Sequence, residues 1–141
     1  YACDQQEKGL VRITPATLDG STETVVQKVP AALSGAQGLL WAFDSLYAVC
    51  NGSGFHGLFR LTDSDGDSLL DHVEKLHDIA PGGEHGAHNI LLSPDGKRLF
   101  IICGNHTPLP FKTTNVTEPQ TMAGIRPNQR RVTLDANGPS R

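Results

Sequence analysis

The chain has 141 residues, with 12 Lys and Arg against 15 Asp and Glu and a formal net charge of −3, which is the size of one domain or a part of a larger one. Charged residues make up 19% and the chain holds 15 Gly and 9 Pro, a turn-rich composition that predicts short strands rather than long helices. No apolar run approaches the ~18 residues that cross a bilayer, and no basic cluster prepares a nucleic-acid surface, so neither a membrane span in this segment nor a nucleic-acid partner is expected.

The predicted elements begin with Gly9-Leu-Val-Arg-Ile-Thr14, which recurs as Gly57-Leu-Phe-Arg-Leu-Thr62 at an offset of 48. Val26-Gln-Lys-Val29 recurs as Val73-Glu-Lys-Leu76 at an offset of 47. Between the copies lie two further apolar runs, Gly38–Phe43 and Leu46–Cys50, and the second returns as Leu99-Phe-Ile-Ile-Cys103 at an offset of 53. The extra residues are assigned to the Gly-rich loop before Asn89.

One complete unit therefore reads as four strands, Gly38–Phe43, Leu46–Cys50, Gly57–Leu61 and His72–Asp78. They are rich in Leu, Val, Ile and aromatics and bounded by turn formers. The second run is continuously apolar, as a strand covered on both faces is, and the fourth mixes polar and apolar residues like an outer strand. A repeated four-stranded antiparallel unit of this length predicts an all-β fold, a partial β-propeller. In this reading residues 1–110 hold the last two strands of one blade, a full blade over 38–78, and a half blade over 86–104. The alternative is a small unrelated β-sandwich. Residues 111–141 lack the pattern and are expected to be an insertion or a disordered tail. Fewer than four blades cannot close a ring, so the chain is expected to be a piece of a larger propeller.

Asp63-Ser-Asp65-Gly-Asp67-Ser-Leu-Leu-Asp71-His-Val-Glu74 places carboxylates at positions 1, 3, 5, 9 and 12 of a twelve-residue window. Those are the side-chain positions of an EF-hand-type loop, where hard oxygen ligands wrap Ca2+. Asp63, Asp65, Asp67, Asp71 and Glu74 are thus candidate calcium ligands. Ser68 stands at position 6, where such loops carry Gly, and strands rather than helices flank the loop. The competing reading is a solvated acidic hairpin turn.

Pro81-Gly-Gly-Glu84-His85-Gly-Ala-His88-Asn89 is the densest stretch for chemistry. It joins one unit to the next, and in a propeller such a connection runs toward the central channel. Its glycines let backbone approach a ligand closely. His85 is a candidate general base and Glu84 a partner to orient it. His85 and His88 lie three apart, but spacing places no third metal ligand. His106, after Gly104-Asn105, ends a strand that could face the same channel, whereas His56, His72 and His77 read as structural. Three cysteines, Cys3, Cys50 and Cys103, allow one intrachain disulfide at most.

The run Glu84-His85-Gly-Ala-His88-Asn89-Ile-Leu-Leu-Ser-Pro94-Asp95-Gly96, followed by Leu99 to Asn105, resembles a blade segment of the soluble glucose/sorbosone dehydrogenase family, six-bladed propellers that bind pyrroloquinoline quinone (PQQ). His85 lies nine residues before Pro94, the position of that family's catalytic His. The sequence more closely resembles a branch of the same superfamily, the large secreted membrane-bound-dehydrogenase-type proteins of Planctomycetes and Verrucomicrobia, through Gly57-Leu-Phe-Arg-Leu-Thr-Asp-Ser-Asp-Gly-Asp67, Gly82-Gly-Glu-His-Gly-Ala-His88 and Gly104-Asn-His-Thr-Pro-Leu-Pro110. It departs from the dehydrogenase pattern at Asn89, where the family has Arg, at His88, where it has Gly, and at Asn105, where it has Asp.

The resemblance implies oxidation of a sugar or other alcohol, with His85 taking the hydroxyl proton, Glu84 beside it, and PQQ accepting the hydride. His88, Asn89, Asn105 and His106 would line the quinone. It further implies a periplasmic or extracellular protein and a c-type cytochrome domain elsewhere in the parent chain, with the isolated segment inactive. The alternative function is a non-catalytic, calcium-stabilised propeller module that binds carbohydrate or protein.

Overall fold

The computed structural model describes residues 1–4, 8–52 and 54–108, together with the backbone of 134–135 and 138–139. The fold is all-β, with no α-helix among the described residues. Nine strands form three antiparallel sheets over residues 1–108. The first sheet holds β1 (Ala2–Cys3), β2 (Leu10–Thr14) and β3 (Val25–Lys28), and the second β4 (Ala36–Ala42), β5 (Ser45–Gly52), β6 (Phe55–Thr62) and β7 (His72–His77). The third holds β8 (Ala87–Leu92) and β9 (Leu99–Cys103). In each the strands pair in sequence order, as short turns between antiparallel neighbours dictate. Two-residue strands β10 (Leu134–Asp135) and β11 (Gly138–Pro139) pair with each other; the rest of the tail assigned to an insertion or disorder lies outside the described residues.

Alternation within β5 explains how the sheets stack. Leu46, Ala48 and Cys50 are buried with Leu10, Val29, Phe59 and Leu61 between the first and second sheets. Tyr47 and Val49 point the other way and are buried with Leu58, Ala87 and Ile90 between the second and third. A strand with both faces covered must be apolar throughout, which is why Leu46–Cys50 carries no polar residue. Each wholly buried Leu or Ile contributes about 1.5–3 kcal/mol. On β7 every residue is half-buried or exposed, the mixed pattern of an outer strand.

The sequence repeat is a repeat of register. Arg12 lies opposite Gln27, Ile13 opposite Val26 and Thr14 opposite Val25; Arg60 lies opposite Glu74, Leu61 opposite Val73 and Thr62 opposite His72. The first two strands of a unit repeat as closely. β4 and β5 pair from Ala36–Cys50 to Trp41–Leu46 with a bulge between Ala36 and Gly38. β8 and β9 pair from Ala87–Cys103 to Leu92–Leu99 with a bulge between Ala87 and Asn89.

Two expectations are corrected by these pairings. The N-terminal unit has three strands rather than two, because Ala2 and Cys3 pair with Val11 and Leu10 just as Ala48 and Val49 pair with Phe59 and Leu58. Two residues were too short a run to read as a strand. The added length between units is also divided. β8 follows β4 at an offset of 51 and β9 follows β5 at 53, so the Ser93–Arg98 hairpin takes two of the extra residues and only the remainder lies in the Gly-rich loop. That hairpin is closed by Ser93, whose hydroxyl accepts from Arg98 N at 2.9 Å and whose carbonyl accepts from Gly96 N at 2.9 Å.

Candidate functional site at the glycine and histidine loop

Asn51, at the end of β5, organises the loop that leads into β8. Its amide nitrogen donates to the Gly83 carbonyl, and its Oδ1 accepts from Gly82 N at 3.2 Å. Both groups belong to a loop with no sheet partner, and one side chain satisfies the two: the N–H of Gly82, which is buried and would otherwise be penalised, and the carbonyl of Gly83, which is exposed. Gly83–His85 then makes a single 3-10 turn, closed by His85 N donating to the Gly82 carbonyl at 3.2 Å.

The turn is locked to the end of β9. Gly104 N donates to the Gly86 carbonyl at 2.7 Å and His106 N to the His85 carbonyl at 3.2 Å. A Cβ on Gly86 would overlap the Asn51 amide, and one on Gly104 would overlap the His85 carbonyl. Glycine is required at both positions by close approach.

These contacts bring the His85 and His106 rings together, with centroids 4.6 Å apart and planes inclined at 51°. Both side chains are exposed. Among the described residues neither ring has a hydrogen-bond partner, so the ring nitrogens are open to a ligand. The Glu84 carboxylate is likewise exposed and makes no hydrogen bond to His85. The partner that the structure gives His85 is therefore His106, contributed by the strand-end 21 residues later, rather than its sequence neighbour.

The remaining candidates divide. His88 occupies the β8 bulge and is half-buried. Asn89 directs its Oδ1 to Ile90 N at 2.8 Å, and an added Cβ on Gly38 would lie 2.7 Å from Asn89 Cα, so Asn89 is seated against β4. Asn105 is exposed in the turn after β9. Asn51 was missed, because an Asn after an apolar run reads as ordinary turn chemistry. The signal was available: Asn51-Gly52 ends β5 where Gly104-Asn105 ends β9, and Asn51 N donates to the Gly35 carbonyl at 3.0 Å as Gly104 N does to Gly86.

In the acidic loop the structure gathers three of five candidate ligands. Oxygens of Asp63, Asp65 and Asp67 lie within 4.8 Å of one another, a spacing compatible with a metal ion and also common in exposed acidic turns that hold none. Asp71 is engaged elsewhere, accepting from Ser64 N at 2.8 Å and Ser64 Oγ at 2.6 Å. Glu74 is carried along β7 to pair with Arg60 at 2.6 Å. The loop is shaped by its own carboxylates, since Asp63 accepts from Gly66 N at 2.7 Å and from Ser68 N at 2.8 Å. The Gly66 N–H bond above all holds the Asp63 carboxyl below the usual carboxylate range, and the Ser64 hydroxyl does the same for Asp71. Ser68 takes φ +70, so the left-handed turn expected of Gly at that position is made by Ser.

All three cysteines are free thiols, with Cys50 buried between the first two sheets. Burial pushes the Cys50 thiol up to about 12. Comparison with protein-family models, curated proteins and solved structures finds no match to this chain.

Proposed function

We propose that this chain is a segment of a larger β-propeller of the glucose/sorbosone dehydrogenase type, exported to the periplasm or beyond, in which His85 acts as general base in the oxidation of a sugar or other alcohol. The observation that carries this reading is the pair of exposed imidazoles, His85 and His106, fixed 4.6 Å apart on a loop clamped by Asn51. An imidazole is the side chain suited to accept a hydroxyl proton near neutral pH, and a base must be held still to do so. The propeller is supported by units that repeat in register and stack face to face.

PQQ, when bound, would supply the hydride acceptor. The open ring nitrogens of His106 and the exposed amide of Asn105 suit a ligand rich in carbonyl and carboxylate oxygens; Asn89, turned onto its own strand, does not contribute. The protein's own part is to hold His85 against His106, keep Gly82 to Gly86 rigid, and receive the proton at the imidazole. Calcium at Asp63, Asp65 and Asp67 would staple the β6–β7 hairpin.

A second reading is a non-catalytic, calcium-stabilised propeller that binds carbohydrate or protein. Asn89 favours it, because the family's Arg is replaced by a residue engaged with β8 and β4. The full-length parent protein, supplied with PQQ and Ca2+ and assayed for dye reduction with a panel of sugars and alcohols, separates the two. Reduction that His85→Ala abolishes supports the enzyme. No reduction, with no quinone-dependent rise in Tm, leaves the binding module.

A further inference from the structure

His85 and His106 are joined through their backbones before their rings meet. His106 N donates to the His85 carbonyl at 3.2 Å, and next to this bond Gly104 N donates to the Gly86 carbonyl at 2.7 Å. The joint itself does not call for histidine. The same link closes the preceding unit, where Asn51 N donates to the Gly35 carbonyl at 3.0 Å. There the sequence places Ser34 where this unit has His85, and Ser53 where it has His106. Two imidazoles therefore stand on a joint that serves the neighbouring unit without them.

The two rings do not stack, because their planes are inclined at 51°, and neither has a hydrogen-bond partner among the described residues. Their spacing is that of two imidazoles bound side by side to one cation. With metal–nitrogen bonds of about 2.0–2.1 Å the ion lies about 3.2 Å from each ring centroid, so bond angles of about 90° to 109° put the centroids about 4.5–5.2 Å apart. The observed 4.6 Å falls at the 90° end, the angle of tetragonal and octahedral sites rather than of tetrahedral zinc. The backbone bond between the two residues and the Asn51 clamp fix this spacing before any ion arrives, which lowers the ordering cost of binding.

We infer that His85 and His106 form a two-histidine seat for a borderline divalent transition-metal cation, Ni2+ or Cu2+ ahead of Zn2+. Imidazole nitrogen suits these ions and carboxylate oxygen suits Ca2+, so the seat differs in chemistry from the acidic loop. Among the described residues no third His, Cys, Asp or Glu joins the pair. The remaining coordination positions are therefore left to water or to oxygens of a bound ligand. A metal held here takes the nitrogen lone pair with which His85 would accept a proton, and so switches the base off. That consequence rests on the reading of His85 as general base; the binding rests on the geometry of the pair alone.

Ni2+ titrated into the whole 141-residue chain in excess Ca2+, followed by calorimetry, should bind at one ion per chain. His85→Ala and His106→Ala alter exposed side chains, and each should weaken binding at least tenfold. His77→Ala and Cys103→Ser, an exposed histidine and an exposed thiol elsewhere, should leave it unchanged. In the unaltered chain Ni2+ should broaden the ring resonances of His85 and His106 first among the six histidines. No binding, binding that either His85→Ala or His106→Ala leaves unchanged, or binding that His77→Ala or Cys103→Ser removes would overturn the inference. In the full-length parent, Ni2+ should abolish the dye reduction that depends on His85. Metal binding with no His85-dependent reduction would sink the general-base reading and leave the seat standing; His85-dependent reduction with no metal binding would do the reverse.

Discussion

Arg12 and Arg60, 48 positions apart in sequence, make the same cross-strand reach in two different sheets: Arg12 Nη2 donates to Gln27 Oε1 at 2.9 Å and Arg60 Nη2 to Glu74 Oε2 at 2.6 Å. The first is a charged-to-neutral pair and the second an ion pair. Arg12 also reaches forward, donating through Nη1 to the Ser68 carbonyl, and so ties the first sheet to the acidic loop of the second. The half-exposed Arg60–Glu74 pair should show a coupling of about 0.5–1 kcal/mol in a double-mutant cycle with Arg60→Met and Glu74→Gln, falling with added salt. Urea denaturation of the four proteins measures it.

Asn51→Ala leaves Gly82 N and the Gly83 carbonyl without their side-chain partner. The expected loss is about 1–3 kcal/mol in global stability, with faster amide exchange at Gly82 before any change in β5. Gly104→Ala should be at least as damaging, since the added methyl meets the His85 carbonyl, which is backbone and has little room to move.

Ser68→Gly relieves a β-carbon held at φ +70. The left-handed strain removed, about 1–2 kcal/mol, outweighs the roughly 0.5–1 kcal/mol entropic cost of glycine, so a net gain of about 0.5–1 kcal/mol is expected. A rise in Tm of the variant over the parent checks it. Calcium binding, followed by titration calorimetry, should be lost in Asp65→Ala and retained in Glu74→Gln, because Glu74 is committed to Arg60.

How the acidic hairpins respond to pH follows from the sign of their shifts. Asp63, Asp71 and Asp95 are held below the usual carboxylate range, by the Gly66 N–H, the Ser64 hydroxyl and the Ser93 hydroxyl respectively. Folding therefore favours the ionised forms, and their contribution is present above the ordinary Asp value of about 3.9 and lost as pH falls below it. Denaturation midpoints should be flat from pH 7 to about pH 5 and drop below pH 4. Replacing Asp63 and Asp95 by Asn should flatten that drop.

Much of the fold was readable because burial on two faces forces a pattern that survives in one dimension. Leu46–Cys50 could only be a covered strand, and the Gly9 and Gly57 runs declared one module twice. The two-residue β1 was invisible because its pairing depends on β2 rather than on its own residues. The site was half readable. His85 stood out by composition, but its neighbour in space, His106, comes from another strand, and the clamp at Asn51 depends on the carboxamide meeting two backbone groups across 31 and 32 residues. The acidic loop was read by spacing alone, which cannot show that Ser64 takes Asp71 and Arg60 takes Glu74.

The claim on which the account rests is that one strand module is used twice in the same register, and cross-strand NOEs in the isotopically labelled chain measure that directly. Contacts between the Arg12 and Gln27 backbones and, equally, between those of Arg60 and Glu74 are the predicted result; a one-residue slip of either pair relative to the other would contradict it.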